Sequence, residues 1–243
     1  MGHQNLFIFR PSYTSGDCIK RHKEELIKVL VESKALEFGQ FKLKSGRISP
    51  YFINMARALS TGEFAVKTSH AYGEEIHQEL ENDFDYIHGP AYKGIPLAAL
   101  VSAHMYSQYS INKRWGYDRK EVKAYGDLTE KSIVGDLRDN DCVLMIDDVI
   151  TTGGTKIENW EKLTAAKKGL TLKGIFIAVD RQEKEESGEP VSQFLRDQGF
   201  SLFSILTIIE VFSYLYETPV EGKVYVDEKT QKAFETYFAE YGG

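Results

Sequence analysis

The stretch VLMIDDVITTGGT, residues 143–155, constrains this chain more than any other. An apolar run from Cys142 to Ile146 predicts a buried strand, and residues 154–168 read as the helix that follows it. Between them stand Asp147, Asp148 and a turn made almost wholly of Thr and Gly. In open α/β sheets ligands sit outside the carboxyl ends of strands, so the acids and the turn fall on a binding edge. The turn leads into a helix N-terminus, where unpaired backbone N–H groups and the helix dipole attract anions. Gly153 and Gly154 are expected to take up positive φ and let the backbone approach a ligand. Thr151, Thr152 and Thr155 add hydroxyl donors. The turn is neither the P-loop pattern nor G-x-G-x-x-G. Paired acids beside an anion cradle suit a ribose 5-phosphate, whose vicinal hydroxyls donate to carboxylates while the turn holds the phosphate. An acidic turn with a Thr helix cap is the plainer reading, and it would suffice for an isolated acid pair.

Around this stretch strands and helices alternate. The expected elements are a helix over 19–36, a hairpin over 38–54 broken at Ser45-Gly46, and a helix from Thr61 to about Glu81. A short strand in FDYIHG and a helix over 94–109 follow. WGYD begins another strand, 171–180 is a further one, and a helix lies near 190–198. A strand over 200–208 precedes helices at 210–217 and 227–241. Such alternation builds a parallel sheet with helices on both faces. The chain is therefore expected to fold as one α/β domain over 19–243. Its small N-terminal hood, a helix plus a β-hairpin, lies mainly in 19–60, with the C-terminal helices as possible contributors. Residues 1–18 read as an extension.

The net charge of −6 argues against a broad nucleic-acid surface. No apolar run approaches the ~20 residues that cross a bilayer, and no secretory signal is evident. Cys142 reads as a buried thiol, which suits a cytoplasmic location. His70 and His77 share a helix face without further ligands nearby, so they read as solvated side chains and no metal site is assigned. The charge is uneven: Lys113, Arg114, Arg119, Lys120 and Lys123 crowd one short segment.

The acidic stretch resembles the PRPP (phosphoribosyl pyrophosphate) motif of the type I phosphoribosyltransferases. Four further segments resemble the orotate phosphoribosyltransferases in order and spacing: FKLKSGRISPYF (41–52), GPAYKGIPLA (89–98), DRKEVKAYGD (118–127) and DRQE (180–183). The likeness covers roughly residues 20–215. It implies a type I phosphoribosyltransferase-like parallel sheet flanked by helices, under a hood, and transfer of the phosphoribosyl group from PRPP to orotate. It also implies Mg²⁺ carried mainly by PRPP or pyrophosphate, and a homodimer in which the loop from Arg119 to Tyr125 reaches the neighbour's site. By resemblance PRPP meets Lys44, Tyr92, Lys93, Arg119, Lys120, Lys123 and Tyr125, together with the motif residues Asp147, Asp148, Val149, Ile150, Thr151, Thr152, Gly153, Gly154 and Thr155. Lys123, Asp147 and Asp148 carry the catalysis. Orotate meets Phe52, Ile53, Thr151 and Arg181.

The residues make these roles physically sensible. Arg181, at a strand end, offers a planar fork to a base carboxylate. Strand alternation sends Phe52 and Ile53 to opposite faces, so one of them is free to be structural. Lysines and arginines closing over the site would stabilise charge building on the departing pyrophosphate and exclude water. The segment departs from the family in two respects: it is about three residues longer than in bacterial members, and Tyr125 stands where a histidine is usual, a neutral phenol that donates to phosphate without cycling protons near neutrality. Two alternatives stay open, a phosphoribosyltransferase for another base and a non-catalytic PRPP-binding regulator.

Overall fold

The computed structural model describes residues 19–43, 46–120, 132–150, 153–184 and 188–243. Lys44, the segment 121–131 with Lys123 and Tyr125, Thr151, Thr152 and the N-terminal extension lie outside the described residues.

The first helix, α1 (Arg21–Glu32), is shorter than its pattern suggests. Lys34 turns left-handed (φ 57°), and Leu36 opens β1 (Leu36–Lys42). β1 pairs antiparallel with β2 (Ile48–Ile53), giving the expected hairpin. Thr61 caps α2 (Gly62–Leu80) by accepting from the Phe64 N–H at 3.2 Å. There follow β3 (Tyr86–His88), α3 (Gly94–Tyr109), β4 (Arg114–Asp118), β5 (Ile133–Gly135), β6 (Cys142–Val149), α4 (Gly154–Ala166), β7 (Thr171–Asp180), α5 (Val191–Asp197) and β8 (Leu202–Thr207). The chain then forms α6 (Ile208–Glu217), opened by a Thr207/Glu210 capping box, and α7 (Glu228–Tyr241).

Six strands make one sheet in the order β5-β4-β3-β6-β7-β8. All neighbours run parallel except β5, which pairs antiparallel with β4 and closes that edge. The expected parallel sheet is found, with this one antiparallel strand added at its edge; three residues carry too little pattern to announce a strand. β3 leads away to β4, whereas β6 returns beside β3 and continues to β7 and β8. The reversal of strand order therefore lies between β3 and β6, the place where such sheets open a crevice.

Alternate residues of β6 serve two cores. Leu144 and Ile146 join the larger one with α1, α2, α3, α6 and α7. Val143 and Met145 face the smaller one with Leu163 of α4 and Leu195 of α5. The larger core continues into the hood through aromatic rings. Phe212 of α6 stacks on Phe234 of α7 at 3.9 Å and meets Phe38 and Tyr51 of the hairpin edge-on at 5.5 and 5.6 Å. The C-terminal helices thus pack against the hairpin.

Two other expectations change. Cys142 is only partly buried. His70 and His77 are half-buried against α3 rather than solvated: His70 lies 3.1 Å from Glu25, and His77 stacks on Tyr109 at 4.2 Å. Because Phe212 joins hairpin, α6 and α7, Phe212→Ala should cost about 3–5 kcal/mol, read as a fall in the urea midpoint; a loss below about 1 kcal/mol would mean the hood holds without this cluster.

Candidate active site

β6 runs on through Val149, so the acid pair sits in the last turn of the strand, not beyond it. Consecutive residues of a strand point to opposite faces, and here each face supplies a lysine. On the α4 side the Lys156 ammonium donates to Asp147 Oδ2. On the α3 side the Lys93 ammonium donates to Asp148 Oδ2 at 2.7 Å. Lys156 is only 4% exposed, whereas about half of the Lys93 side chain is open to solvent. The Asp148 N–H donates to Asp147 Oδ1 at 2.8 Å, and the Tyr72 hydroxyl to the Asp147 carbonyl at 2.6 Å. Burial raises the Asp147 carboxyl above the ordinary range; Lys156 pulls it down and Asp148 pushes it further up. The Lys93–Asp148 bond spans the switch point between β3 and β6.

Tyr92, Lys93, Arg119 and Lys120 follow strands that end at the same carboxyl edge, as the register requires. His88 pairs with Met145 and with Gly116, so the turn after β3 and the residues after β4 emerge beside the acids. That turn is tight. A Cβ on Gly89 would meet the Gly94 carbonyl oxygen at 2.1 Å, so only glycine fits. Asp118 braces it, accepting from the Ala91 N–H at 2.8 Å and from Lys162 at 2.9 Å. Beneath lies fully buried His88, whose pKa burial lowers to about 4. The Lys120 ammonium sits 4.6 Å from the centre of the exposed Tyr92 ring, bringing the start of the cationic segment to this turn. Arg119 is fixed through its backbone N–H, which donates to Ser132 at 2.7 Å. Lys113 and Arg114 are taken elsewhere. Lys113 donates to the Asn82 carbonyl at 3.0 Å, and Arg114 forks onto Asp141 at 2.6 and 2.9 Å.

The turn into α4 differs from expectation in its backbone. Gly153 has φ −69°, and Gly154 opens the helix, so neither takes up positive φ. Gly153 is needed for packing, since a Cβ there would meet the Phe194 ring at 2.6 Å. Gly154 and exposed Thr155 face open space at the helix start. Ile150 is core, so its backbone alone is left for a ligand, and Val149 packs against the larger core.

At the end of β7, Arg181 is 7% exposed and already paired. Its Nε and Nη2 donate to Glu183 Oε1 at 3.0 and 2.6 Å, and its guanidinium lies 4.6 Å from the Tyr51 ring. Burial works against the charge, but Tyr51 and Glu183 outweigh it and raise the Arg181 pKa. Of the two wall candidates, Ile53 is buried in the core, while Phe52 is 37% exposed and stacks on Phe41.

A family model for the phosphoribosyl transferase domain matches residues 62–200. The orotate phosphoribosyltransferase of Clostridium acetobutylicum is 37% identical over 227 residues, covering 92% of this chain and 99% of its own. That of Agathobacter rectalis is 36% identical over 226 residues, covering 92% and 99%. The chain belongs to the orotate phosphoribosyltransferase family. A solved orotate phosphoribosyltransferase from Francisella tularensis superposes with a TM-score of 0.74 at 31% identity, covering 89% of this chain and 98% of its own. The fold of this chain is therefore type I: a mainly parallel six-stranded sheet flanked by helices, with a small antiparallel pair near the N-terminus.

Lys156, Tyr72, Asp118 and Glu183 were not singled out by sequence. A lysine in the first turn of a helix reads as solvated, and only its position between α4 and the end of β6 shows otherwise. Lys156→Met should strip Asp147 of its counter-charge and raise its carboxyl further. The fraction protonated then grows as pH falls, and PRPP affinity should begin to fall at a higher pH than in the parent. Titration calorimetry over a series of pH values checks this; coincident pH profiles would contradict it.

Proposed function

We propose that this chain catalyses the reaction of its family, transfer of the 5-phosphoribosyl group from PRPP to orotate, giving orotidine 5′-monophosphate and pyrophosphate in UMP synthesis. The observation that carries the site assignment is the lysine-braced acid pair at the switch point, with Arg181 at the end of the neighbouring strand. Ribose hydroxyls would donate to Asp147 and Asp148. Asp147 keeps its buried Lys156 throughout. Asp148 exchanges Lys93 for a hydroxyl, and the released ammonium, on a half-exposed side chain, turns to pyrophosphate beside Tyr92 and Lys120. The 5-phosphate takes the turn from Thr151 to Thr155 and the N-terminus of α4.

Orotate would lie against Phe52, with Arg181 on its carboxylate and Thr151 and the Ile53 backbone nearby. As the bond from ribose C1 to pyrophosphate lengthens, charge grows on the leaving group. Lys44, Arg119, Lys120 and Lys123 stabilise it, and Tyr125 donates to a phosphate oxygen; this is positioning and electrostatics without a covalent intermediate. The two carboxylates already accept from lysines, an arrangement suited to hydroxyl donors, so Mg²⁺ would be held chiefly by oxygens of PRPP, where it neutralises pyrophosphate. Among the described residues no helix is long and apolar enough to cross a membrane, and Cys142 is a free thiol; the cytoplasm is the compartment we assign.

The wild-type chain should consume orotate, followed by ultraviolet absorbance, only when PRPP and Mg²⁺ are both present. Lys123→Ala should cut turnover about a hundredfold or more while moving orotate affinity far less. A dimer sharing the segment from Arg119 to Tyr125 adds a second readout. Mixing Lys123→Ala with the Asp147→Asn/Asp148→Asn variant should restore about a quarter of parental activity, because half of the hybrids' sites are intact. Orotate left untouched while another base is consumed would overturn the substrate, and no recovery on mixing would overturn the shared loop.

A further inference from the structure

The DRQE segment holds a second residue for the base. Asp180 accepts from the Gln182 N–H at 2.8 Å, and Gln182 is left-handed at φ 51°. That local turn curls Glu183 back beneath Arg181. One oxygen, Glu183 Oε1, then accepts from Arg181 Nε at 3.0 Å, Arg181 Nη2 at 2.6 Å, and the hydroxyls of Tyr51 and Tyr237 at 3.0 Å each. Arg47 stands 3.8 Å from the other oxygen. The same turn is fastened to the end of the chain: the Lys184 N–H donates to the Tyr241 carbonyl at 2.8 Å, and the Gly243 N–H to that of Gln182 at 2.9 Å. Hairpin, α7 and the end of β7 thus converge on one carboxylate.

The consequence concerns which part of Arg181 remains available. A guanidinium offers a side edge (Nε and one Nη) and an end edge (both Nη atoms) to a carboxylate. Glu183 takes the side edge, and the Tyr51 ring covers a face. Among the described residues no group accepts from Nη1, which leaves the end edge.

We propose that Glu183 is a positioning residue for the base: it clamps the side edge of Arg181 and leaves the end edge as the single fork for the carboxylate of orotate. The proposal rests on the assignment of Arg181 to orotate. A guanidinium so held loses little freedom when the substrate arrives. Without the clamp Arg181 swings, and an acid bound at its side edge sits out of line with ribose C1.

The test is steady-state kinetics on both substrates. Glu183→Ala should raise the orotate KM about tenfold and leave the PRPP KM within about twofold. Glu183→Gln keeps an acceptor oxygen in place and should stay within about threefold of the parent. In an Arg181→Ala background Glu183→Ala should add nothing, because it acts only through the arginine. If Glu183→Ala does not fold, Tyr51→Phe with Tyr237→Phe removes two of the four donors and should raise the orotate KM about threefold. Equal losses for PRPP and orotate, Glu183→Gln as damaging as Glu183→Ala, or a further loss in the Arg181→Ala background would each overturn the proposal. An orotate KM unmoved by Arg181→Ala would instead bring down the assignment of Arg181, so the two failures are told apart.

Discussion

Two carboxylates side by side at the end of a buried strand repel each other and lose hydration, and burial alone would neutralise at least one. Here each has its own ammonium on its own face of the sheet: Lys156 on Asp147, Lys93 on Asp148. The two lysines are not equivalent. Lys156 is buried in the first turn of α4, whereas Lys93 is half-exposed at the head of α3. Both carboxylates already accept from donors, an arrangement that suits hydroxyls. The surrounding architecture keeps the two helix N-termini and the end of β6 in register.

A comparable arrangement operates at Arg181, the residue we assign to the base. Arg181 is a buried cation, and Glu183 keeps it charged while two tyrosines from distant parts of the chain hold that carboxylate. The aromatic cluster of Phe212 and Phe234 packs on Tyr51, and Tyr51 and Tyr237 reach one oxygen at the end of β7. Packing in the C-terminal helices thereby reaches Arg181.

Much of this was legible in the sequence where local pattern decides structure. β7 and α3 coincide with the expected spans because an apolar run and a helical period are strong signals. The acids, Tyr92 with Lys93, and Arg181 meet on one edge as the strand–helix alternation implies. What escaped was long-range or sterically subtle. Lys156 and Glu183 look like surface charges until α4 and α7 are in place. Gly153 serves close packing on Phe194 rather than an unusual backbone angle. Lys113 and Arg114 belonged by spacing to a cationic cluster, yet they tie β4 to Asn82 and Asp141. β5 is too short to show a period.

The most direct measurement is calorimetric titration of PRPP into the protein and into its Asp147→Asn/Asp148→Asn variant. Binding to the parent with measurable heat, weakened about tenfold or more in the variant, is the result expected if the braced acids hold the ribose. Equal affinity in both proteins would contradict it.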